Sequence, residues 1–459
     1  MTADQPSPLR VLMAPQNFAD QPMALVRALR KKGFDAHQIH YTAHGVHPLG
    51  YALDRAIEIE DLDIRKQLEV LEQCLEEGFD IYHFWQRSLL HDRPLRGLTG
   101  LDLPLIKARD ASIFHRFTGA DLRMSEKDRS FNKFSPYHYG YTNPFDEKRQ
   151  AAYLDFLKDY VETFFVQDPE MAQFFPDARI LPRGLELDNW QPIGIQASER
   201  PLIVHAPSNP LVKGSRFIME AVEQLQRENL SFEFKQLDRV PHEQAREWYE
   251  KADIIVDQIL IGATGVLTLE AWALAKPCVT FLREDLFQSF YQTSDLPVAN
   301  ATPDTITTVL RNLIKDFEWR EDLARRGRET VEKFHNINDI ADQYASICEQ
   351  ARIGRTLSKQ DTADVRFLRQ GIASGIDDKP ARLSFELGMA RQHPKLAALG
   401  GRYFSLQQQF FAVLLRMQVR LIRTVIVAAI WLAGRVRAVL GKDRTQAEAA
   451  GTGRKNDNQ

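Results

Sequence analysis

The sequence predicts an α/β protein made of two parallel sheets covered by helices, followed by a helical tail. Two observations indicate this class. Short apolar segments alternate with helical segments in two successive series, and a connector bearing Pro and Gly at 191–201 separates the series. The composition is 44% hydrophobic and 26% charged over 459 residues, which excludes bulk disorder and collagen-like structure.

The first series opens with a strand, a loop and a helix. Leu9–Met13 is a short apolar run, Pro15–Pro22 is typical of a loop, and Ala24–Lys32 has apolar residues at helical spacing before a glycine. A return strand completes a strand-helix-strand unit. The further predicted elements are strand Phe34–His40, helix Glu58–Glu77, strands Phe79–Trp85 and Ser112–Phe117, helix Tyr153–Thr163 and strand Phe164–Gln167.

The second series repeats the alternation after the connector. Its predicted elements are strand Leu202–His205, loop Ala206–Gly214, helix Arg216–Gln226, strand Ser231–Gln236, helix His242–Lys251, strand Asp253–Gln258, helix Val266–Leu274, strand Pro277–Phe281 and the closing helical stretch Thr305–Gln350. Two such series predict two Rossmann-like domains facing across a cleft, and ligands of open α/β sheets bind outside the carboxyl ends of the strands.

The predicted domain boundaries follow from this reading. They are an N-terminal Rossmann-like domain at 1–190, a C-terminal Rossmann-like domain at 191–352, a loosely structured linker at 353–400, a basic amphipathic helix at 401–442 and a disordered end at 443–459.

Charge and cysteine content exclude further classes. Cys74, Cys278 and Cys348 lie far apart and have no metal-ligand spacing, so neither a disulfide framework nor a structural zinc site is expected, and a reducing cytoplasm fits. The first residues show no secretory leader pattern. An acidic main body also argues against a nucleic-acid partner.

The segment 401–442 contains seven basic residues and no acidic ones: Arg402, Arg416, Arg420, Arg423, Arg435, Arg437 and Lys442. Leaving out these seven of the 59 Lys and Arg residues gives the rest of the chain 52 basic against 62 acidic residues. On a helix the seven share one side, opposite an apolar side, which predicts a helix lying in a membrane interface. Its uncharged run Thr424–Gly434 is too short to cross a bilayer core of roughly 30 Å. A helix that docks on a partner or promotes oligomerisation is the alternative.

The segment Lys251–Pro277 is the most informative motif. It reads as a buried strand, a turn containing Gly262 and Gly265, and a helix that starts near Val266. The exposed amides of such a turn at a helix N-terminus suit phosphate. Ordinary α/β packing with a surface glutamate at position 270 is the alternative from spacing alone.

Four segments follow one another over roughly 181–350: ILPRGLELDNWQP, HAPSNPLVKGSRFIMEAV, ADIIVDQ with LEAWALAKPCV, and FHNINDIADQYASICEQ. Together they resemble the retaining, family-4-like glycosyltransferases of the GT-B architecture. Their collinear order makes the resemblance more specific than any single match. The first 180 residues match the family more loosely.

The resemblance implies site residues at matching positions. Lys213 matches the lysine that contacts the donor diphosphate, Glu270 matches the glutamate that holds the ribose, and Asp121 lies in a segment similar to the family's H-G-x-D. These three are the expected catalytic residues. The expected donor-binding residues are Ser208, Lys213, Val240, Gly262, Thr264, Gly265, Val266 and Glu270, and the expected acceptor-binding residues are Asn17, Thr118, Gly119 and Asp121.

The sequence departs from the family pattern at four places. Gly262 stands where the first glutamate of the family's Glu-x7-Glu would be, Ser208 replaces an arginine, and Thr118 replaces a histidine. The loop Pro15–Pro22 lacks the usual glycine pair. A catalytically degenerate binding or assembly protein and a sugar-nucleotide epimerase therefore remain alternatives.

The expected function is transfer of a sugar from a nucleoside-diphosphate sugar to a glycan or lipid-linked acceptor, with retention and without a metal or other cofactor. The expected partners are the nucleotide sugar, this acceptor and a membrane surface contacted by 401–442, with no nucleic acid. The expected location is the inner face of a membrane in the cytoplasm. His205 and His242 are expected close to the ligand.

Overall fold

The computed structural model describes residues 7–42, 47, 49–59, 64–91, 100, 102–238 and 240–353. These residues belong to the first of two compact units of the chain, which spans 1–400. The predicted linker beyond residue 353, the basic segment 401–442 and the end 443–459 lie outside the described residues.

Seven parallel strands form the first sheet. They are β1 (Arg10–Ala14), β2 (Asp35–Thr42), β3 (Arg55–Glu58), β4 (Ile81–Trp85), β5 (Ser112–Arg116), β6 (Thr163–Val166) and β7 (Arg179–Ile180). Their order is β3-β2-β1-β4-β5-β6-β7. Every residue of β4 and of β5 is buried, as expected for central strands of a parallel sheet covered on both faces.

Short and long helices connect these strands. They are α1 (Gln21–Lys31), α2 (Ile64–Glu77), α3 (Asp102–Lys107), α4 (Ser125–Phe131), α5 (Glu147–Leu157) and α6 (Pro169–Ala172), with a 3-10 turn at Pro136–Tyr139. Helix α1 has a proline in its first turn and Arg30 and Lys31 in its last, which matches the backbone and dipole preferences of helix ends.

Five parallel strands form the second sheet. They are β8 (Leu202–His205), β9 (Glu233–Gln236), β10 (Ile254–Val256), β11 (Cys278–Thr280) and β12 (Ala299–Asn300), in the order β12-β11-β10-β8-β9. The helices that follow them are α7 (Pro210–Lys213), α8 (Ser215–Arg227), α9 (His242–Lys251), α10 (Val266–Ala273), α11 (Glu284–Tyr291), α12 (Ile306–Lys315), α13 (Phe317–Phe334) and α14 (Ile337–Ile353). A 3-10 turn at Leu187–Asn189 precedes this sheet.

The second sheet has apolar cores on both of its faces. One contains Trp272 and Phe287, and the other contains Ile218 and Leu310, all of them fully buried. Because Leu267–Ala273 of α10 are all buried, this helix lies inside the first of these cores and does not cover the surface. This packing fixes the position of its N-terminus.

Helix α14 follows the second sheet in the chain but packs against the first sheet. Its buried residues Ile337, Ile340 and Tyr344 share a core with Leu9 and Val11 of the first sheet. The two chain crossings between the sheets also pair with each other. The Leu185 amide donates to the His335 carbonyl at 2.8 Å, and the Ile337 amide donates to the Leu185 carbonyl at 3.0 Å.

The alternation predicted from the sequence is confirmed, but two predicted helices begin more than three residues from the predicted position. The stretch Glu58–Glu77 begins with the end of β3, and its helix α2 starts at Ile64. Helix α5 covers Glu147–Leu157, and it begins six residues before the predicted start at Tyr153. An edge strand such as β3 owes its conformation to pairing with β2, which local periodicity does not show.

The three cysteines are free and buried, in agreement with the prediction that they form no disulfide framework. Among the helices of the described residues, none combines the length and the apolar character needed to cross a bilayer.

Candidate functional site

A cavity of about 340 Å³ lies between the carboxyl ends of the two sheets. From the first sheet it is lined by residues that follow β1 and β5, including Ala19 and Thr118. From the second sheet it is lined by residues that follow β8 and β10, including Ser208 and Gln258. In each sheet these strands lie at or next to the point where the strand order reverses, which is where open α/β sheets bind ligands.

Lys213 and Asp257 form the charged centre of the second-domain wall. Lys213 is the last residue of α7, and its Nζ lies 2.5 Å from Asp257 Oδ1 at the end of β10. The Asp257 side chain has no exposed surface, whereas 13% of the Lys213 side chain remains exposed and lines the cavity. Burial raises the pKa of Asp257, but Lys213 and the Thr268 hydroxyl lower it more, so the net pKa is below the usual value.

Asp257 also holds the start of α10. Its Oδ2 accepts hydrogen bonds from the amide of Gly265 at 3.1 Å and from the amide and hydroxyl of Thr268 at 3.3 and 2.6 Å. Val266 and Leu267 lie between them and line the cavity. Their amides belong to the first helical turn, whose N–H groups have no partner within a helix.

Gly265 is required by close packing. A Cβ atom built on it would lie 2.2 Å from Asp257 Oδ2 and 2.9 Å from Lys213 Nζ. Its backbone has a φ of −89°, so the glycine serves this contact and not an unusual dihedral. The amino group of Lys213 therefore lies directly against the N-terminal end of α10.

Glu270 and His242 form a second polar pair in the same wall. His242 Nε2 donates to Glu270 Oε1 at 2.6 Å, and both residues line the cavity. Burial lowers the pKa of His242, but the hydrogen bond and negative charge of Glu270 raise it above its ordinary value. Tyr51 of the first domain packs on the imidazole with ring centres 4.7 Å apart.

The remaining wall of the second domain is apolar. It is formed by Leu237, Val240, Ala245 and Tyr249, which all line the cavity. Because this surface lies beside Glu270 and His242, the cavity combines an apolar wall with a few placed polar groups, as small-molecule sites usually do.

The first domain contributes the turn after β5. Thr118 lines the cavity, and Asp121 stabilises the turn from behind by accepting from the Thr118 and Gly119 amides at 3.0 and 2.6 Å. Burial raises the pKa of Asp121, although these hydrogen bonds oppose the shift.

Two arginines complete the cavity wall. Arg183, in the connection between β7 and β8, donates from Nη1 to the Thr264 carbonyl at 3.0 Å. Arg123 donates from Nε and Nη2 to the carboxylate of Glu170, with the shortest contact at 2.5 Å. Both line the cavity together with Lys213.

Comparison with solved structures identifies the fold. The chain superposes on a sucrose-phosphate synthase from Thermosynechococcus elongatus with a TM-score of 0.55 and 13% identity, covering 75% of this chain and 99% of that one. A glycosyltransferase from Rickettsia africae gives a TM-score of 0.50, 13% identity, and coverage of 76% and 99%. The N-terminal domain of trehalose-6-phosphate phosphatase from Candida albicans gives 0.50, 10% identity, and coverage of 76% and 98%.

The chain has the GT-B fold. This confirms the predicted pair of facing Rossmann-like domains. By sequence, neither the models of protein families nor the curated proteins give a match.

The GT-B fold brings most of the predicted donor-binding residues to one cavity. Its lining includes Ser208, Lys213, Val240, Thr264, Gly265, Val266 and Glu270. Gly262 is placed differently: it has a φ of +79°, and a Cβ there would lie 2.9 Å from Cγ of Arg283. It is outside the lining of this cavity.

The predicted acceptor-binding residues divide into one that lines the cavity and three that do not. Thr118 lines it, whereas Gly119 and Asp121 belong to the same turn but are outside the lining. Asn17 is 2% exposed, and its side-chain amide donates to the Ala52 carbonyl at 3.2 Å. Asp121 and Asn17 therefore stabilise the loops that contain them.

The two histidines expected near the ligand also differ. His242 lines the cavity, but His205 is buried between the Val256 carbonyl and the Ser215 hydroxyl, at 2.9 and 2.8 Å. Burial lowers the pKa of His205 to about 4. His205 therefore has a structural role in the second sheet.

The charged and aromatic residues of the site that were not predicted from the sequence include Tyr51, Arg123, Arg183 and Asp257. Asp257 could have been predicted as a site residue, because it is a charged residue directly after a buried strand and before a glycine turn. Arg183 stands beside the glycine of the segment ILPRGLELDNWQP. Tyr51 and Arg123 lie in polar loops whose placement depends on the fold.

A second cavity of about 500 Å³ adjoins the first. Both are lined by Ala19, Tyr51, His242 and Glu270, and the second also reaches Arg27, Glu186 and Trp190 near the crossing between the sheets. Within the described ranges, no group of three His, Cys, Asp or Glu side chains is arranged to hold a metal ion.

Proposed function

We propose that this protein is a glycosyltransferase that uses a nucleoside-diphosphate sugar. The observation that carries the proposal is the position of Lys213, whose ammonium group lies at the N-terminal end of α10 in the wall of a cavity between the two sheets. The fold alone does not select a reaction, because one fold serves many.

The diphosphate of the donor binds between Lys213 and the first turn of α10. The amides of Val266 and Leu267, the positive end of the helix dipole and the ammonium group all favour an anion here. As the bond between the sugar and the diphosphate breaks, negative charge grows on the leaving group. Fixed positive partners in a partly closed cavity stabilise that charge without reorganising.

The nucleoside binds along the apolar wall. Glu270 accepts hydrogen bonds from ribose hydroxyls through Oε2, because His242 already engages Oε1. Leu237, Val240 and Tyr249 give the base an apolar surface. These contacts orient the donor so that its sugar points to the first domain.

The acceptor binds on the first-domain side, next to Thr118. Asp121 supports this turn and acts by positioning it, since its carboxylate is engaged by the Thr118 and Gly119 amides. The resemblance of the sequence to retaining enzymes supports retention at the anomeric carbon and a reaction without a metal ion.

The basic segment 401–442 supports a membrane-associated acceptor, such as a lipid-linked glycan. Seven positive charges and no negative ones attract anionic lipid, with about 1 kcal/mol for each residue near the surface. This part of the proposal rests on the sequence and is separate from the donor site.

The test is to incubate the purified protein with a panel of nucleoside-diphosphate sugars, with and without lipid extract, and to measure nucleotide release. Acceptor-dependent release that persists in EDTA and is lost in Glu270→Ala supports the proposal. The matched control is Glu228→Ala, because Glu228 pairs with Arg311 and neither residue lines either cavity.

The rival functions give different results in the same assay. Nucleotide binding without turnover, unchanged in Glu270→Ala, indicates a non-catalytic binding or assembly protein. Conversion of the sugar nucleotide into its epimer, without an acceptor, indicates an epimerase. Proton NMR of the new glycosidic bond distinguishes retention from inversion.

A further inference from the structure

Three cations line the cavity, and each is paired with a carboxylate outside the lining. The pairs are Arg123 with Glu170, Arg183 with Asp168, and Lys213 with Asp257. The three carboxylate side chains are at most 4% exposed. At these three positions the wall presents positive charge to a ligand, while the balancing negative charge is buried behind it. The lining also contains Glu270, which pairs with His242.

Two of these cations lie at the proposed diphosphate position. Arg183 Nη1 is 3.0 Å from the Thr264 carbonyl, and Lys213 Nζ is 2.9 Å from the Cβ position of Gly265. They therefore flank two consecutive residues at the start of α10. The negative charge of a bound diphosphate would therefore pair with both of these cations.

Arg123 belongs to a different part of the wall. It follows β5 in the first domain, and Glu170 engages its Nε and Nη2. A Cβ atom built on Gly119 would lie 3.0 Å from Arg123 Nη1. This nitrogen therefore lies against the turn of Thr118 and Gly119, and both Arg123 and Thr118 line the first-domain side of the cavity.

Arg123 remains a cation in this environment. Burial lowers its pKa, but the charge and hydrogen bonds of Glu170 raise it above the ordinary value. A guanidinium group with one pair of nitrogens held by a carboxylate and another nitrogen beside a cavity is oriented for a second oxyanion.

We propose that the first-domain side of the cavity binds an anionic group, a phosphate or a carboxylate, through Nη1 of Arg123 beside Thr118. The group belongs to the acceptor or to the transferred sugar, so the substrate on this side is an acidic or phosphorylated glycan. This inference rests on the proposed function, because the diphosphate at α10 accounts for the other two cations.

The first experiment separates this inference from the proposed function. Binding of UDP, ADP and GDP to the full-length protein is measured by calorimetry, with Lys213→Ala as the control for the donor site. If none of the nucleotides binds, the proposed function fails. If one binds, that nucleotide is used at saturation while glucose 6-phosphate, glucuronate and glucose are titrated as acceptor probes.

The anionic probes are expected to bind about tenfold more tightly than glucose, the effect of one charged hydrogen bond. A second arm compares the glucuronate and glucose esters of the same nucleotide as donors. Tighter binding of the anionic acceptor probes assigns the anion to the acceptor, and a preference for the glucuronate donor assigns it to the transferred sugar. If neither comparison shows a preference for the anionic compound, the inference is overturned.

Variants at Arg123 and Glu170 distinguish recognition from a structural role. Glu170→Gln removes the countercharge and is expected to increase the preference for the anionic probe. Arg123→Gln together with Glu170→Gln removes both charges, which avoids a buried unpaired carboxylate, and is expected to abolish the preference while nucleotide binding persists. The inference is overturned if the double variant still prefers the anionic probe. It is also overturned if the preference falls equally in Glu170→Gln and in the double variant.

Discussion

Lys213 Nζ and Asp257 Oδ1 lie 2.5 Å apart although 44 residues separate them in the chain. The contact joins the last residue of α7 to the residue that follows β10, and Asp257 in turn holds the first turn of α10. One carboxylate therefore fixes both the cation and the helix N-terminus that the proposed diphosphate needs. The stability of the fold and the binding of the proposed donor therefore depend on the same carboxylate, that of Asp257.

Lys213→Ala is expected to reduce both stability and nucleotide affinity. It leaves the Asp257 carboxylate buried without its cation, which costs about 3 kcal/mol of unfolding free energy. Adding Asp257→Asn removes the stranded charge and is expected to restore part of the stability but not the binding of nucleoside diphosphates. Urea denaturation and nucleotide titration measure the two effects. Recovery of binding in the double variant would contradict the role given to Lys213.

Gly265→Ala is expected to disturb the same centre through its volume alone. The added Cβ would lie 2.2 Å from Asp257 Oδ2, so the aspartate and lysine must shift, at a cost of about 1–3 kcal/mol and with loss of nucleotide binding. The matched control is Gly33→Ala, which meets no atom within 4 Å but has a φ of +88°. It is expected to cost about 1 kcal/mol and to leave binding intact. Thermal denaturation and calorimetry check both variants.

The His242–Glu270 pair is expected to make stability depend on pH. Because the pKa of His242 is raised by folding, its stabilising effect is fully present below the unfolded value of about 6.5 and is lost as the pH rises through the folded value. The difference in unfolding free energy between the wild type and His242→Gln should therefore decrease from pH 6 to pH 8.5. Denaturation at several pH values measures this difference.

Glu270→Gln provides the control for that pH dependence. It removes the charge that raises the pKa of His242, and the nearby Asp20 and Arg246 act in opposite directions on the imidazole. In this background burial lowers the pKa of His242, so the decrease between pH 6 and pH 8.5 should disappear or reverse. A slope unchanged by Glu270→Gln would assign the effect to other groups.

Removal of residues 401–459 is expected to abolish binding to anionic vesicles. The segment 401–442 contains seven basic residues and no acidic ones, and its uncharged run has 11 residues. Co-sedimentation with phosphatidylserine vesicles measures the binding, and vesicles of phosphatidylcholine are the control. Full-length protein that stays in the supernatant with both compositions would contradict the membrane role. Nucleotide binding by the truncated protein shows that the donor site has folded.

Local sequence was sufficient to predict the second domain in most details. The segment Lys251–Pro277 alternates between a strand, a glycine turn and an apolar helix, and all three elements occur as predicted within a few residues. Lys213, Gly265 and Glu270 were expected at the site because their segments resemble motifs of one family, and all three line the cavity. Those motifs reflect contacts made within single strand-turn-helix units.

Tertiary structure decided which other groups complete the site. Arg123 and Tyr51 come from loops of the first domain, and each meets residues distant in sequence, such as Glu170 and His242. Helix α14 illustrates the same limit on a larger scale, since it follows the second sheet in sequence but packs on the first. Its apolar face indicates that the helix is buried, but it does not indicate which core the helix joins.

The sequence by itself determined the alternation of strands and helices, the glycine turn before α10 and the basic segment at 401–442, because these depend on residue periodicity and composition. The structure decided that Asp257 lies behind Lys213, that His242 engages Glu270, and that Asp121 supports a turn. Those roles depend on side chains brought together by the packing of two sheets. No local pattern encodes which carboxylate faces the ligand and which is buried behind a cation.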